Sequence, residues 1–66
     1  MTYFNIKTSK GIETIDEINP KEFNSKEDFK AERKRLLNEY KLASSFYSGL
    51  YYSQRATKAW KARASQ

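Results

Sequence analysis

The chain has 66 residues, a formal net charge of +5, 38% hydrophobic and 15% aromatic residues, and no Cys or His. That length allows one small domain, residues 1–66, which buries only about 60% of the surface its unfolded form would expose. The missing residue types exclude disulfides, thiolate or imidazole metal sites, and nucleophilic catalysis by Cys or by a His-assisted Ser.

The opening segment YFNIKTSKGIETI predicts a β-hairpin. Tyr3, Phe4, Ile6 and Thr8 suit a strand, and Ser9-Lys10-Gly11 suits a turn because Gly11 can take a positive φ without strain. Ile12, Thr14 and Ile15 suit the return strand. Ile12 and Ile15 do not share a face under strict alternation, so this strand is the weaker of the two. Thr14 and Glu17 also fit a capping box that opens a single helical turn. Asn19-Pro20 breaks whatever precedes it.

The next element is a helix. Ser25 is a favourable N-cap, and Glu27 and Asp28 fall in the first turn, where the helix dipole favours acids. KEDFKAERKRLLNEYKLAS contains no Gly or Pro. Phe29, Leu36, Tyr40, Ala43 and Tyr47 recur at helical spacing on one face, and Leu37 widens it. Gly49 is the residue expected to stop the helix. Lys26, Lys30, Lys34 and Lys41 lie along one flank, with Asp28, Glu32 and Glu39 on the other. Arg35 can reach Glu39 at i,i+4.

Leu50–Arg55 fits a strand, with Leu50, Tyr52 and Gln54 on one face and Tyr51, Ser53 and Arg55 on the other. It also fits a helix capped by Ser53, with Ala56, Ala59 and Trp60 inward. The strand is preferred, because a two-stranded hairpin is marginal alone and no other segment has strand composition. Ala56 to Ala64 is then a short helix of good helix formers. The expected fold is α+β: an N-terminal β-hairpin, one long amphipathic helix, a third strand at about 50–55 and a short C-terminal helix. A hairpin with two antiparallel helices is the alternative.

The functional question centres on FYSGLYYSQRATKAWKAR, which mixes aromatics with Lys and Arg and follows Glu39, the last acidic residue of the chain. Exposed rings beside bases are the equipment of sequence-tolerant single-strand binders. The chain, however, has only four Ile and four Leu. Most rings are therefore needed for the core. If Leu50–Arg55 is a strand, alternation turns one of Tyr51 and Tyr52 outward. Adjacent acid pairs such as Asp16-Glu17 point apart and make no acid/base couple. Two Gly residues far apart supply no phosphate loop. No catalytic, cofactor or metal residue is expected, and the chain is not expected to be an enzyme.

The expected function is that of a small non-enzymatic accessory or inhibitory protein. It would bind a larger protein partner through a Tyr/Arg-rich C-terminal surface, the residue types that dominate interface hot spots. The candidate residues are Tyr51, Tyr52, Arg55, Lys58, Trp60, Lys61 and Arg63. Lys26, Lys30, Lys34 and Lys41 form a secondary basic ridge, whose plain reading is a solvated helix flank. The alternative is a nucleic-acid-binding accessory protein that contacts phosphates through Arg55, Lys58, Lys61 and Arg63. No zinc-finger, RNP or GXXG motif supports that alternative. No cofactor and no membrane partner is expected, and a homo-oligomer sharing a core would explain the scarcity of aliphatics. The start MTYFNIKTSKG lacks the apolar run of a signal peptide, so a cytoplasmic location is expected. In size and composition the chain is similar to small basic accessory proteins of phages and mobile elements, a likeness that no motif carries.

Overall fold

The computed structural model describes residues 1–64. Strands β1 (Thr2–Thr8) and β2 (Gly11–Ile18) form the hairpin. Thr8 pairs with Gly11, leaving Ser9 and Lys10 as the loop, and Gly11 takes φ 117°, which a side chain would resist. The Thr8 hydroxyl accepts from the Lys10 amide at 3.1 Å and donates to the Gly11 carbonyl at 2.9 Å, closing the turn.

The pairing slips between Phe4 and Asn5. Phe4 faces Asp16 but Asn5 faces Thr14, so Ile15 is the extra residue of a β-bulge. The bulge resolves the broken alternation of the isoleucines. Ile15 and Ile18 pack on the core, while Ile12 faces the other way and is 53% exposed. Because β2 runs on to Ile18, the single helical turn at Thr14 does not form.

Asn19 then caps a 3-10 turn over Pro20–Glu22, its side chain accepting from the Lys21 amide at 3.0 Å. Helix α1 spans Lys26–Ala43, and the Ser25 hydroxyl accepts from the Asp28 amide at 3.1 Å. The helix stops well before Gly49, which has no positive φ. Ser44 is extended instead, and its hydroxyl accepts from the Phe46 amide at 3.1 Å to start a separate 3-10 turn, Ser45–Tyr47. A serine that can bond the backbone ahead of it competes with helix continuation, and here it wins.

Strand β3 (Tyr51–Ser53) pairs antiparallel with β1, giving the sheet order β2-β1-β3. The fold is thus α+β with a three-stranded antiparallel sheet, and β3 excludes the two-helix alternative. Phe4, Ile6 and Leu50 are the buried core, with Leu36, Leu37, Tyr40 and Tyr47 packed against them, so α1 covers this face of the sheet. Two residues expected on the inward helix face lie elsewhere. Ala43 is exposed, and Phe29 packs edge-on against Phe23 at 5.6 Å in a satellite cluster. Helix α2 spans Lys58–Ala64 and begins later than Ala56, because Thr57 caps it: its hydroxyl accepts from the Trp60 amide at 3.3 Å and its carbonyl from the Lys61 amide at 3.1 Å.

Candidate partner-binding surfaces

Residues paired across neighbouring strands share a face. Asn5, Thr14 and Ser53 therefore lie on the side of the sheet away from α1. Asn5 and Thr14 are buried there, and their hydrogen bonds show what buries them. The Thr14 hydroxyl donates to Asn5 Oδ1 at 2.6 Å, and Asn5 Nδ2 donates to Ser53 Oγ at 3.1 Å and to the Arg55 carbonyl at 3.0 Å. The Thr57 amide donates to Thr14 Oγ1 at 3.0 Å. The chain after β3 is thus folded back across the sheet, opposite α1.

A loop closes a sheet less completely than a helix does. A groove of about 440 Å³ remains, lined by Ile12, Tyr51, Arg55 and Ala56 among others. Tyr51 and Ser53 share this side, as strand alternation predicts; the strand is shorter than the expected 50–55, and Arg55, two residues past its end, reaches the groove from the loop. Lys58, Lys61 and Arg63 are exposed on α2, and Arg55 lies outside that helix. Among the described residues none of these four bases joins an ion pair. Trp60 is half-buried, with the Arg63 guanidinium 5.4 Å from its ring and its indole N–H buried without a hydrogen-bond partner.

Tyr52 is separated from these residues. It pairs with Phe4 and so sits on the α1 side, at the outer strand of the sheet, 42% exposed. The Arg33 guanidinium lies 4.1 Å from its ring centroid and 5.6 Å from that of Phe29. Such cation–π contacts are worth about 0.5–2 kcal/mol each, according to how far they are desolvated. Arg33 Nε is buried with no partner. Nothing in the ERKRLL segment marks Arg33 apart from its neighbours, because the ring that holds it arrives from β3. The ridge of Lys26, Lys30, Lys34 and Lys41 is exposed along α1. The predicted site residues therefore divide between two opposite sides of the sheet.

Arg35 behaves differently from Arg33. It bonds Glu32 through Nε at 3.1 Å and 3.2 Å and through a short Nη2 contact, and it reaches Glu39 at 2.9 Å, as the i,i+4 spacing predicts. The hydrogen bonds from Arg35 hold the Glu32 carboxyl below its ordinary value, and the same pairing raises the Arg35 guanidinium. Both groups are solvated, so the pair is ordinary helix-surface chemistry. On the apolar side Tyr40 donates its phenol to Asp16 Oδ2 at 2.7 Å. That hydrogen bond, then burial, push the Tyr40 phenol up to about 12.

Leu42 (88% exposed) and Phe46 (60%) are apolar residues left in solvent near the end of α1, which the sequence pattern does not foretell. A smaller recess of about 230 Å³ carries Glu17 and Glu22 beside Ile18 and Phe23. Among the described residues no three His, Cys, Asp or Glu side chains are placed to hold a metal ion, and no helix is long and apolar enough to cross a membrane. Compared with protein-family models, curated proteins and solved structures, the chain has no match.

Proposed function

We propose that this chain is a non-enzymatic accessory or inhibitory protein that docks on a larger protein through the groove side of its sheet. The observation that carries the reading is the groove itself. Ile12, more than half exposed, lies beside Tyr51 and Ala56, with Arg55 at the rim. An exposed Ile and an Ala beside a Tyr and an Arg, with Asn5, Ser53 and Thr57 completing the lining, give the mixed apolar and polar composition of a protein interface. Lys58, Lys61 and Arg63 then steer an acidic partner toward it.

Nucleic-acid binding remains the second reading, favoured by four bases without ion pairs among the described residues. Two features weigh against it. The α1 lysines lie on the far side of the sheet from Arg55 and the start of α2, so they do not extend one continuous phosphate track. The rings of Tyr52 and Trp60 each have a guanidinium beside them, which competes with a stacking base.

Fluorescence anisotropy with labelled single- and double-stranded DNA and RNA, across a salt series, separates the two. The protein-docking reading expects no oligonucleotide binding at low salt. It also expects a photo-crosslinker at Ile12 to capture one host protein, with the adduct lost in Arg55→Glu. A log-log salt slope of about −3 to −4, which about four neutralised phosphates would give, replaces that reading with the nucleic-acid one.

A further inference from the structure

The chain has eight acidic residues, and Arg35 pairs with two of them. Arg33, two positions earlier, pairs with none. Its guanidinium carbon lies 4.1 Å from the Tyr52 ring centroid and 5.6 Å from that of Phe29, and its Nε is buried without a hydrogen bond. Its Nη end is neither buried nor bonded to any described residue. A guanidinium held against a ring by a cation–π contact uses none of its N–H donors as hydrogen bonds in that contact. Its rotamer freedom is already spent, so a planar oxyanion that binds it costs less ordering than it would at a mobile Arg or Lys.

Two features of the surroundings narrow the ligand. Lys30 and Lys26, at i−3 and i−7, lie on the same side of α1, exposed and without ion pairs among the described residues. They make the neighbourhood attractive to acids. Tyr52 is also the central residue of β3, and among the described residues β3 pairs with β1 alone, so no described strand occupies its outer edge. An extended peptide can add to such an edge, and its residue opposite Tyr52 then points to the side where Arg33 waits. A nucleic acid gains nothing from a strand edge, and the Tyr52 ring already has Arg33 against it.

We propose that β3 and Arg33 form a second docking surface, whose ligand is an extended acidic peptide segment. The segment pairs with the outer edge of β3, and the carboxylate of its residue opposite Tyr52 is bound by the Nη groups of Arg33, with Lys30 alongside. This surface lies on the other side of the sheet from the groove and does not depend on the groove's reading.

The test is a titration of the full chain followed by ¹H–¹⁵N NMR, reading the Arg33 Nε–H resonance and the amides of Tyr51–Ser53. The probes are a short capped peptide of alternating Thr and Glu, the same peptide with Gln for Glu, inorganic phosphate and an oligothymidylate. The Thr-Glu peptide is expected to move the Arg33 Nε–H and the β3 amides together, with the Gln peptide weaker by about tenfold. Arg33→Lys is expected to weaken the Thr-Glu peptide by about fivefold or more, since a point charge replaces a fork. Tyr52→Leu, which keeps the strand and removes the clamp, is expected to weaken it as well. The proposal is overturned if the peptide moves only the α1 lysine region, or binds Arg33→Lys equally well, since either result means unspecific charge attraction. It is also overturned if the wild-type Arg33 resonance stays fixed, or if phosphate or the oligothymidylate moves it while the peptide does not.

Discussion

On the α1 side the sheet is covered by side chains, with Phe4, Ile6 and Leu50 lying under Leu36, Leu37 and Tyr40. On the other side it is covered by backbone, held down through Asn5 and Thr14. The difference follows from supply. A chain with four Ile and four Leu cannot floor two apolar layers, so the second face is closed with hydrogen bonds. Those bonds stabilise only when all partners are present, because a buried amide or hydroxyl left unpaired is costly. The two sides therefore respond differently to damage, and they offer different surfaces. The apolar side presents an Arg clamped on rings at a strand edge. The polar side presents a groove that the covering loop does not fill.

The largest test is Leu50→Ala. It removes one of the three buried apolar side chains among the described residues and is expected to cost about 2–5 kcal/mol. A chain of this length has a total stability of only about 3–10 kcal/mol, so the variant should lose a large share of it, read as a much lower urea midpoint by circular dichroism than that of the wild type. Asn5→Ala should cost less, about 1–3 kcal/mol, because the buried Thr14 hydroxyl loses its acceptor and keeps only the Thr57 amide, while the Arg55 carbonyl loses one donor and keeps the Ser53 hydroxyl. Its effect should also be local. Amide exchange is expected to speed up most at Thr57 and in α2, while Leu36, Leu37 and the β1–β2 ladder stay protected. Uniform loss of protection in Asn5→Ala would mean that the two sides are one cooperative unit, and the contrast drawn between them would fail.

Much of the fold is legible in the sequence where the signal is local. The Ser9-Lys10-Gly11 turn, the Ser25 cap and the pairing of Arg35 with Glu39 need only neighbours within one or two turns of chain. The bulge at Ile15 was visible only as a symptom, the failure of Ile12 and Ile15 to alternate. The sequence pattern carries α1 too far, because Gly49 is a strong generic stop, whereas Ser44 acts through its own hydroxyl several residues sooner. The site was the least legible part. The C-terminal cluster reads as one surface in a linear chain, but strand alternation sends Tyr52 to one side and Tyr51 to the other, where Arg55 arrives from the loop. Arg33 acquires its environment from β3, and no window around residue 33 contains that information.

The smallest effect concerns the polar contact on the apolar side, Tyr40 to Asp16 at 2.7 Å. The phenol is raised from 10.0 to about 12, first by this hydrogen bond and then by burial. The folded state therefore holds the phenolic proton more tightly than the unfolded state. Between about pH 10 and pH 12 unfolding releases a proton, so stability falls as pH rises through that window and is fully present below it. Tyr40 is only partly buried, so solvent screening holds the contribution to less than about 1 kcal/mol. Tyr40→Phe keeps the ring against Phe4 and Tyr47 and removes the proton, so it isolates this effect from packing. Urea midpoints measured from neutral pH to pH 12 should show the wild type losing its advantage over Tyr40→Phe across the upper two units. Two curves that remain parallel would mean that the phenol is not held by Asp16 in solution. The α1 side would then rest on apolar packing without this bond, and its contrast with the hydrogen-bonded side would be sharper still.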